Sequence, residues 1–324
     1  MAGWYNGTVP PAEPTLASLP NPLLRYFAAT RPAFLSVTLV GCLLGLAIAH
    51  ASGVPLSAPT AFPTVLFGLI AHAGANVIND YYDALNGSDA ANDGRVFPFT
   101  GGSRFIQNGV FTPRETARFG YGLLAAVVPA GLWLTANSAP GLIVIGLTGL
   151  LLGWAYSAPP LKLVSRGLGE LAITASWVAV VVGADFVQRG AFSWTPVLFG
   201  TPFALLVANV LFINQFPDAA ADALAGKRTL VVLAGTQEAR WFYLGIATFA
   251  YGWLLFLIER LNLPGAFAVA ALPVLLSLRA GGELLRHAAD PPQLARAIKL
   301  TICSTLAHGL LLCGALFATG RALA

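Results

Sequence analysis

Long stretches of this chain contain no charged residue, and this feature limits the possible folds more than any other. No Asp, Glu, Lys or Arg occurs inside four intervals: Arg31 to Asp80, Arg118 to Lys162, Arg189 to Asp218, and Lys299 to Arg321. An apolar helix needs roughly 20 residues, at about 1.5 Å per residue, to cross the hydrocarbon core of a bilayer. These intervals therefore predict membrane-spanning helices, with room for two in each of the first two.

The overall composition agrees with a membrane protein. Only 10% of the residues are charged and 56% are apolar, whereas a soluble domain carries about 25% charged residues. This balance excludes a soluble nucleotide-binding enzyme, a coiled coil, a disordered chain and a nucleic-acid binder. The lipid bilayer is thus the expected environment, and no nucleic-acid partner is expected.

Turn-rich segments divide the apolar sequence into nine predicted spans. We expect an all-α polytopic membrane protein with one domain over 25–324, preceded by an irregular, proline-rich arm over 1–24. The spans are predicted at about 33–50, 62–80, 118–136, 140–157, 168–187, 194–215, 240–258, 264–279 and 299–319.

The basic residues orient these spans. With nine spans, only Arg189, Arg260 and Arg321 lie on the side opposite the N-terminus, which leaves 15 of the 18 Lys and Arg residues on the N-terminal side. Because basic loops stay in the cytoplasm, the N-terminus and the loops after the even-numbered spans are predicted to be cytoplasmic. The net charge of +4 is then a topology signal.

Two acidic pairs stand at the cytoplasmic ends of spans two and six. Asp80 and Asp83 are three residues apart, Asp218 and Asp222 are four apart, and on a helix each pair shares a face. Like charges at that spacing repel, and a divalent cation relieves the repulsion. Mg²⁺ prefers carboxylate oxygens together with substrate phosphates, so the pairs predict two Mg²⁺ sites across one cavity. A short echo, Asp-Ala-Leu-x-Gly at 83–87 and 222–226, hints at a duplicated half.

Two other interpretations of these acids remain open at this point. They are solvated residues just beyond helix ends, or they form a cation or proton pathway in an ion-coupled transporter, since carboxylates at a membrane edge are functional candidates by default. Against transport stands their position at one membrane face, because transporter sites lie near the bilayer midplane.

The same cytoplasmic loops supply cations suited to a diphosphate. Arg104 follows Gly101-Gly102-Ser103, Lys162 follows a Pro-Pro pair, and Lys227 and Arg228 follow Gly226. Glycines let backbone N–H groups approach an anion. The simpler interpretation, ordinary cytoplasmic anchors, suits Arg279, Arg286 and Arg296 better. Pro217, directly before Asp218, predicts a helix break that turns the second acidic pair toward the cavity.

Four motifs in order carry a family resemblance that spans roughly residues 25–320. They are Asn76-x-x-Asn79-Asp80-Tyr81-x-Asp83 with Gly87-x-Asp89; Thr100-Gly101-Gly102-Ser103-Arg104-x-Ile106-Gln107; Tyr156-x-x-Pro159-Pro160-x-Lys162 with Arg166-Gly167-Leu168-Gly169-Glu170; and Asp218-x-x-x-Asp222-x-x-x-Gly226-Lys227-Arg228-Thr229-Leu230. Together they resemble the UbiA superfamily of intramembrane prenyltransferases, and within it the branch that uses 1,4-dihydroxy-2-naphthoate in menaquinone biosynthesis.

The resemblance implies a nine-helix bundle in a bacterial inner membrane that uses two Mg²⁺ ions to transfer a polyprenyl group from its diphosphate to an aromatic acceptor. For the naphthoate branch it also implies loss of the acceptor's carboxylate as CO₂. Other acceptors of the superfamily remain alternatives: 4-hydroxybenzoate, homogentisate, a chlorophyllide, haem or a glyceryl phosphate.

The resemblance also implies roles for individual residues. Metal ligands are expected at Asp80, Asp83, Asp218 and Asp222, supported by Asn76 and Asn79. Diphosphate contacts are expected from the same two asparagines and from Arg104, Lys162, Lys227 and Arg228. Acceptor or prenyl contacts are expected from Tyr156, Asp89, Asn214, Gln107 and Arg166. Gly120, Gly122, Gly149 and Gly153 are expected to make room for the prenyl chain or to pack helices closely.

Overall fold

The computed structural model describes residues 12–320 and 323, and in this part of the chain every regular element is helical. The α-helices are α1 Pro22–Ala29, α2 Pro32–Ala51, α3 Ala58–Asn86, α4 Pro113–Ala136, α5 Leu142–Ala155, α6 Gly169–Arg189, α7 Thr195–Leu224, α8 Leu230–Ala234, α9 Thr236–Arg260, α10 Val274–His287 and α11 Ala295–Ala318. Short 3-10 turns at Gly265–Ala271 and Pro291–Leu294 lead into α10 and α11.

Eight helical segments are long and apolar enough to cross a membrane, and Leu142–Ala155 is a shorter apolar helix between them. Each of the nine predicted spans coincides with one of these nine segments, so the polytopic all-α prediction is confirmed. The two helices that carry the acidic pairs extend well past their predicted ends, α3 to Asn86 and α7 to Leu224. The acidic pairs therefore stand on rigid helix rather than in loops.

The predicted break at Pro217 is wrong. Helix α7 runs continuously from Thr195 to Leu224 through both Pro202 and Pro217. A proline removes one backbone hydrogen bond from a helix, but both prolines are buried, and packing of the surrounding helices supplies most of the stability of a helix in a protein. Asp218 and Asp222 face the cavity from an unbroken helix.

The segment before the first span is partly ordered. Helix α1 begins at Pro22, and the side chain of Asn21 caps it by accepting a hydrogen bond from the Leu23 N–H at 2.9 Å. Residues 12–21 form no helix beyond a turn, and the rest of the predicted arm, 1–11, lies outside the described residues. Helix α1 turns at Thr30 and Arg31 directly into α2.

The core forms where α2, α6, α7 and α11 pack together around buried Phe199 and Phe203. Helices α2 and α6 approach so closely at Gly45 that a Cβ there would lie 2.7 Å from the Ala184 Cβ. Helices α4 and α5 instead leave much of their apolar surface exposed. The bundle is thus tight on one side, and on the side of α4 and α5 it leaves space between helices.

Candidate active site

Both acidic pairs reach the same region because α3 and α7 end in the same way. Gly87, with φ of +85°, ends α3 one turn after Asp83, and Gly226, with φ of +71°, follows the end of α7 one turn after Asp222. A positive φ is accessible to glycine at little cost. The Asp-Ala-Leu-x-Gly echo in the sequence therefore corresponds to two equivalent helix ends.

The two helix ends and the loops that follow them enclose a polar cavity of about 90 Å³. Its lining combines carboxylates, amides, hydroxyls, two cations and two glycines of one loop with a few apolar side chains. The lining residues are Arg31, Asn79, Asp83, Ser88, Asp89, Asn92, Phe99, Thr100, Gly101, Gly102, Tyr156, Val164, Leu211, Asn214, Gln215, Asp218, Asp222, Lys227 and Thr229.

Lys227 joins the two acidic helix ends. Its Nζ lies 3.0 Å from Asp83 Oδ2 and 3.3 Å from Asp222 Oδ1. Burial alone would lower the pKa of Lys227, but the two carboxylates raise it well above its usual value, so the side chain is a cation. A buried cation between two buried carboxylates fixes the distance between α3 and α7 at the site.

The loop after α3 folds against the second pair. Asp218 Oδ1 accepts a hydrogen bond from Asn92 Nδ2 at 2.5 Å, and its Oδ2 lies 3.5 Å from the Gly101 N–H. Gly101 and Gly102 have φ of +75° and +71°. The glycine pair predicted to let the backbone approach an anion thus lies at the cavity wall.

Several buried oxygens in this cavity have no hydrogen-bond partner among the described residues: Asp89 Oδ2, Asn92 Oδ1 and Asn214 Oδ1. Burial raises the pKa of the Asp89 carboxyl to about 8, and the neighbouring carboxylates Asp83 and Asp80 add to the shift. Unpaired buried oxygens are costly, and a hard cation would satisfy them. The donor set therefore fits Mg²⁺, which binds oxygen ligands.

Within the described residues, no three His, Cys, Asp or Glu side chains converge on one point. An ion here would take only one or two carboxylates, with amide oxygens, water and phosphate completing its shell. This is the usual coordination of Mg²⁺ in phosphate-handling sites.

The remaining predicted metal residues are split between this cavity and its surroundings. Asn79 lines the cavity and donates to Asp83 Oδ2 at 3.0 Å. Asp80 is buried but does not line it, and its Oδ1 accepts a hydrogen bond from the Ser103 N–H at 3.3 Å. Asn76 lies deeper in the membrane, where it donates to the Thr30 carbonyl at 3.1 Å.

Of the predicted diphosphate cations, the structure brings only Lys227 to the cavity lining. Arg104 is buried, but it donates to the Asp89 carbonyl and lies 3.6 Å from Glu13 of the arm. Lys162 and Arg228 are exposed outside the lining. Their predicted contact with the diphosphate was based only on neighbouring residues in the sequence.

The predicted substrate residues divide in the same way. Tyr156 and Asn214 line both the polar cavity and the apolar space beside it, and Asp89 lines the polar cavity. Arg166 is exposed and donates to the Pro160 carbonyl at 2.7 Å, and Gln107 is half-buried outside the lining.

Sequence analysis missed several lining residues, above all Arg31, Asn92 and Gln215. Arg31 had been assigned only as a basic residue before the first span. Asn92 and Gln215 are polar residues adjacent to recognised acids or amides, and that adjacency is the signal that could have identified them. Arg31 carries no comparable signal, since α1 and α2 bring it to the site.

An apolar tunnel leads from the polar cavity into the membrane between α3, α4, α5 and α6. We define it by two connected spaces of about 250 and 240 Å³ that share Gly68, Ala71, Gly149, Leu150, Ser176 and Val180. Gly149 and Gly153 line it, whereas Gly120 packs closely against α3, since a Cβ added there would lie 2.9 Å from the Ile78 side chain. The shortness of α5 leaves this side of the bundle open.

Comparison with known proteins agrees with the fold. Residues 38–302 match the UbiA prenyltransferase family. The chain is 31% identical over 244 residues to a 1,4-dihydroxy-2-naphthoate octaprenyltransferase of Mycobacterium tuberculosis, covering 75% of this chain and 80% of that one. It is 27% identical to the protein of the same name from Bacillus subtilis, covering 71% of this chain and 72% of the relative.

A solved structure shares the fold. The UbiA homolog from Archaeoglobus fulgidus bound to DMAPP and Mg²⁺ superposes with a TM-score of 0.65 at 17% identity, covering 89% of this chain and 99% of that one. In the part of the chain that the structure describes, the helical bundle with its acidic cavity is that of a multi-pass membrane protein. The chain belongs to the UbiA prenyltransferase family and is a prenyltransferase.

Proposed function

We propose that this prenyltransferase uses Mg²⁺ to transfer a polyprenyl group from its diphosphate to 1,4-dihydroxy-2-naphthoate, with release of CO₂ and diphosphate. The observation that carries the proposal is that an oxygen-rich cavity adjoins an apolar tunnel, with Asn79, Tyr156 and Asn214 lining both. The naphthoate acceptor is supported by the names of the relatives at 31% and 27% identity.

The polar cavity is the proposed diphosphate and metal site. Asp83 lies on α3 and Asp89 in the loop after it, while Asp218 and Asp222 lie on α7. The two sides of the cavity fit two Mg²⁺ ions. Bound there, Mg²⁺ would neutralise the diphosphate and stabilise the charge that develops on it as it leaves. Lys227 supplies a fixed positive charge at the same place, and it is already desolvated, so it adds no reorganisation cost during the reaction.

Asp80 takes a positioning role in this account. Its hydrogen bond from the Ser103 N–H ties the glycine loop to α3, and the loop in turn presents Gly101 to the cavity. Asn76 marks the start of the tunnel.

The reaction breaks the bond between prenyl C1 and its oxygen, and the electron pair leaves with the diphosphate. A new bond forms between prenyl C1 and the ring carbon of the acceptor that carries the carboxylate. The carboxylate departs as CO₂, and the electrons of its bond return to the ring. The allylic cation must be shielded from water, because water would convert it to prenyl alcohol. The apolar walls of the tunnel, including Leu150 and Val180, provide that exclusion.

The excess of basic residues on the N-terminal side supports a position of this cavity at the cytoplasmic face of a bacterial inner membrane. A soluble diphosphate product leaves into the cytoplasm from there, while the prenylated product stays in the bilayer.

Aspartate variants test the metal roles. Asp83→Asn and Asp218→Asn, purified in detergent, should lose prenyl transfer at least roughly hundredfold, and chelation of Mg²⁺ should do the same to the unaltered protein. Asp290→Asn is a matched control, because Asp290 is exposed outside the cavity. Full turnover in both cavity variants, with normal thermal unfolding, would contradict the assignment.

A further inference from the structure

The arm that precedes α1 contacts the loop between α3 and α4 through one carboxylate. Glu13 Oε1 lies 2.7 Å from Arg95 Nε, and Glu13 Oε2 accepts a hydrogen bond from Asn108 Nδ2 at 3.0 Å. The same Oε2 lies 3.6 Å from Arg104 Nε. Burial raises the pKa of Glu13, but the hydrogen bonds from Arg95 and Asn108 outweigh that effect, and the net shift is downward. Glu13 is therefore a charged carboxylate held between two arginines.

Both arginines hold the backbone of residues that line the polar cavity. Arg95 Nη1 donates to the Asn92 carbonyl at 2.6 Å, and Arg104 Nη1 donates to the Asp89 carbonyl. Arg95 also packs against Gly101, where an added Cβ would lie 2.7 Å from the Arg95 Cβ. The side chains of Asp89 and Asn92 each carry a buried oxygen that no described residue pairs. The arginines thus fix the backbone of two candidate metal-binding groups.

The two guanidinium groups share one counter-ion. Among the described residues, Glu13 is the one carboxylate within 4 Å of a side-chain nitrogen of Arg95 or Arg104. The Arg104 side chain is only 9% exposed, and no described residue accepts a hydrogen bond from its Nε. The cavity carboxylates instead have Lys227 as their cation partner in the described part of the chain.

Removal of Glu13 would leave these guanidinium groups without a counter-ion. A buried charge that loses its partner is costly, and a guanidinium binds a carboxylate strongly. Asp89 is within reach, because Arg104 already contacts its carbonyl. An arginine paired with the Asp89 carboxylate would occupy an oxygen ligand that Mg²⁺ needs.

We propose that Glu13 of the arm is a positioning residue for the metal site, which neutralises Arg95 and Arg104 and so keeps the Asp89 carboxylate free for Mg²⁺. The inference rests on the proposed function, which assigns Mg²⁺ and diphosphate to the polar cavity. None of residues 12–24 lines this cavity. The arm thereby sets the affinity of the cavity for Mg²⁺ and diphosphate without touching either.

Calorimetric titration with geranyl thiolodiphosphate, a donor analogue that resists cleavage, tests the assignment on the full-length protein in detergent. At the Mg²⁺ concentration that half-saturates the unaltered protein, Glu13→Ala should raise the dissociation constant of the analogue roughly threefold to tenfold, the range for losing one net hydrogen bond. At saturating Mg²⁺ the difference should fall to within about twofold, because excess metal displaces the arginine from Asp89 by mass action.

This dependence on Mg²⁺ separates positioning from a general loss of structure. A variant that merely loosens the loop would weaken binding by the same factor at every Mg²⁺ concentration, and that result would overturn the proposal. An unchanged dissociation constant at low Mg²⁺ would overturn it as well.

Two further variants test the charge itself. Glu13→Gln keeps the shape of the side chain and one hydrogen-bond acceptor, but it cannot neutralise the arginines, so it should weaken binding at low Mg²⁺ nearly as much as Glu13→Ala. Full affinity in Glu13→Gln would refute the counter-ion role. Glu238→Ala is the matched control, because it removes the same charge from an exposed side chain outside the cavity, and it should leave the dissociation constant unchanged.

A double-mutant cycle tests the route from the arm to the metal site. In an Arg104→Gln background no guanidinium is left beside Asp89, so Glu13→Ala should change the dissociation constant by a clearly smaller factor than it does in the unaltered protein. Equal factors in the two backgrounds would show that Glu13 does not act through Arg104, which contradicts the proposal.

Failure of the proposed function would give a different result. If the unaltered protein binds the analogue equally well with and without Mg²⁺, the metal site is refuted, and this inference with it. If binding requires Mg²⁺ in the unaltered protein but Glu13→Ala shows no Mg²⁺-dependent loss, only the role of Glu13 is refuted.

Discussion

At the scale of single residues, the site depends on a loop that only glycine can form. Gly102 has φ of +71°, and a Cβ on it would collide with the Asp89 carboxylate. The glycine thus holds an otherwise unpaired carboxylate at the cavity wall.

Gly102→Ala should lower kcat/KM at least roughly tenfold, because the collision displaces Asp89 from the cavity. Gly109→Ala is the matched control: Gly109 has φ of +66° in the same loop, but nothing lies within 4 Å of its Cβ position. That variant should lose only about 1–2 kcal/mol of stability from backbone strain and keep its turnover. Initial rates and thermal unfolding of both proteins test this prediction. Full activity in Gly102→Ala would contradict the role given to Asp89.

At this scale the sequence pattern pointed to cavity residues where the chemistry was local. The two acidic pairs stand out because like charges three or four residues apart are unusual beside a membrane span. Asp83, Asp218 and Asp222 line the cavity with Lys227, whereas Asp80 is buried outside the lining. Their roles as metal ligands stay predictions. Arg31, Asn92 and Gln215 were missed because tertiary packing, not spacing, brings them to the cavity. For the same reason Lys162 and Arg228, close in sequence to the motifs, lie outside the lining.

At the scale of helices, α5 lines the tunnel that we propose for the prenyl chain. Gly149 lies where the two parts of the tunnel join, and nothing lies within 4 Å of its Cβ position. A larger side chain there would enter the tunnel.

Gly149→Leu should reduce turnover of long polyprenyl diphosphates roughly tenfold or more and leave a short donor such as geranyl diphosphate nearly unaffected. Gly122→Leu on α4 is the control, since Gly122 is exposed outside the tunnel lining and has equal room. Rates for a series of donor lengths give the answer, and an equal loss for short and long donors would argue against the tunnel as the prenyl site.

Helix contacts on the opposite side of the bundle make a stability prediction. A Cβ at Gly45 would collide with the Val181 carbonyl of α6, so Gly45→Ala must push α2 and α6 apart, at a cost of about 1–3 kcal/mol. Gly314→Ala, in open space on α11, should be neutral or slightly stabilising because alanine favours helix. Thermal unfolding in detergent measures the stability of both variants. Equal unfolding midpoints would show that the close contact at Gly45 does not contribute to stability.

Helix positions followed from the sequence because a span needs only an uncharged stretch of sufficient length. The ends of the helices were predicted less accurately. The predicted spans stopped near the first polar residues, whereas α3 and α7 continue to Asn86 and Leu224, since hydrophobicity marks the membrane and not the end of the helix. The predicted break at Pro217 was wrong for a related reason, since burial among neighbouring helices keeps α7 continuous despite one lost hydrogen bond.

At the scale of the whole molecule, two spaces adjoin at one end of the bundle: the polar cavity that we propose for the diphosphate and the apolar tunnel that we propose for the prenyl chain. This arrangement also argues against ion transport, because the carboxylates stand at one end of α3 and α7 rather than midway along the spans.

The most direct test of the central claim is product analysis. The purified protein would be incubated with Mg²⁺, a polyprenyl diphosphate and, in separate reactions, 1,4-dihydroxy-2-naphthoate, 4-hydroxybenzoate and homogentisate, and the products would be identified by mass spectrometry. The account predicts a prenylated naphthalenediol whose mass shows loss of CO₂, formed only with Mg²⁺. A folded protein that yields no naphthoate product, while prenylating another acceptor or none, would contradict it.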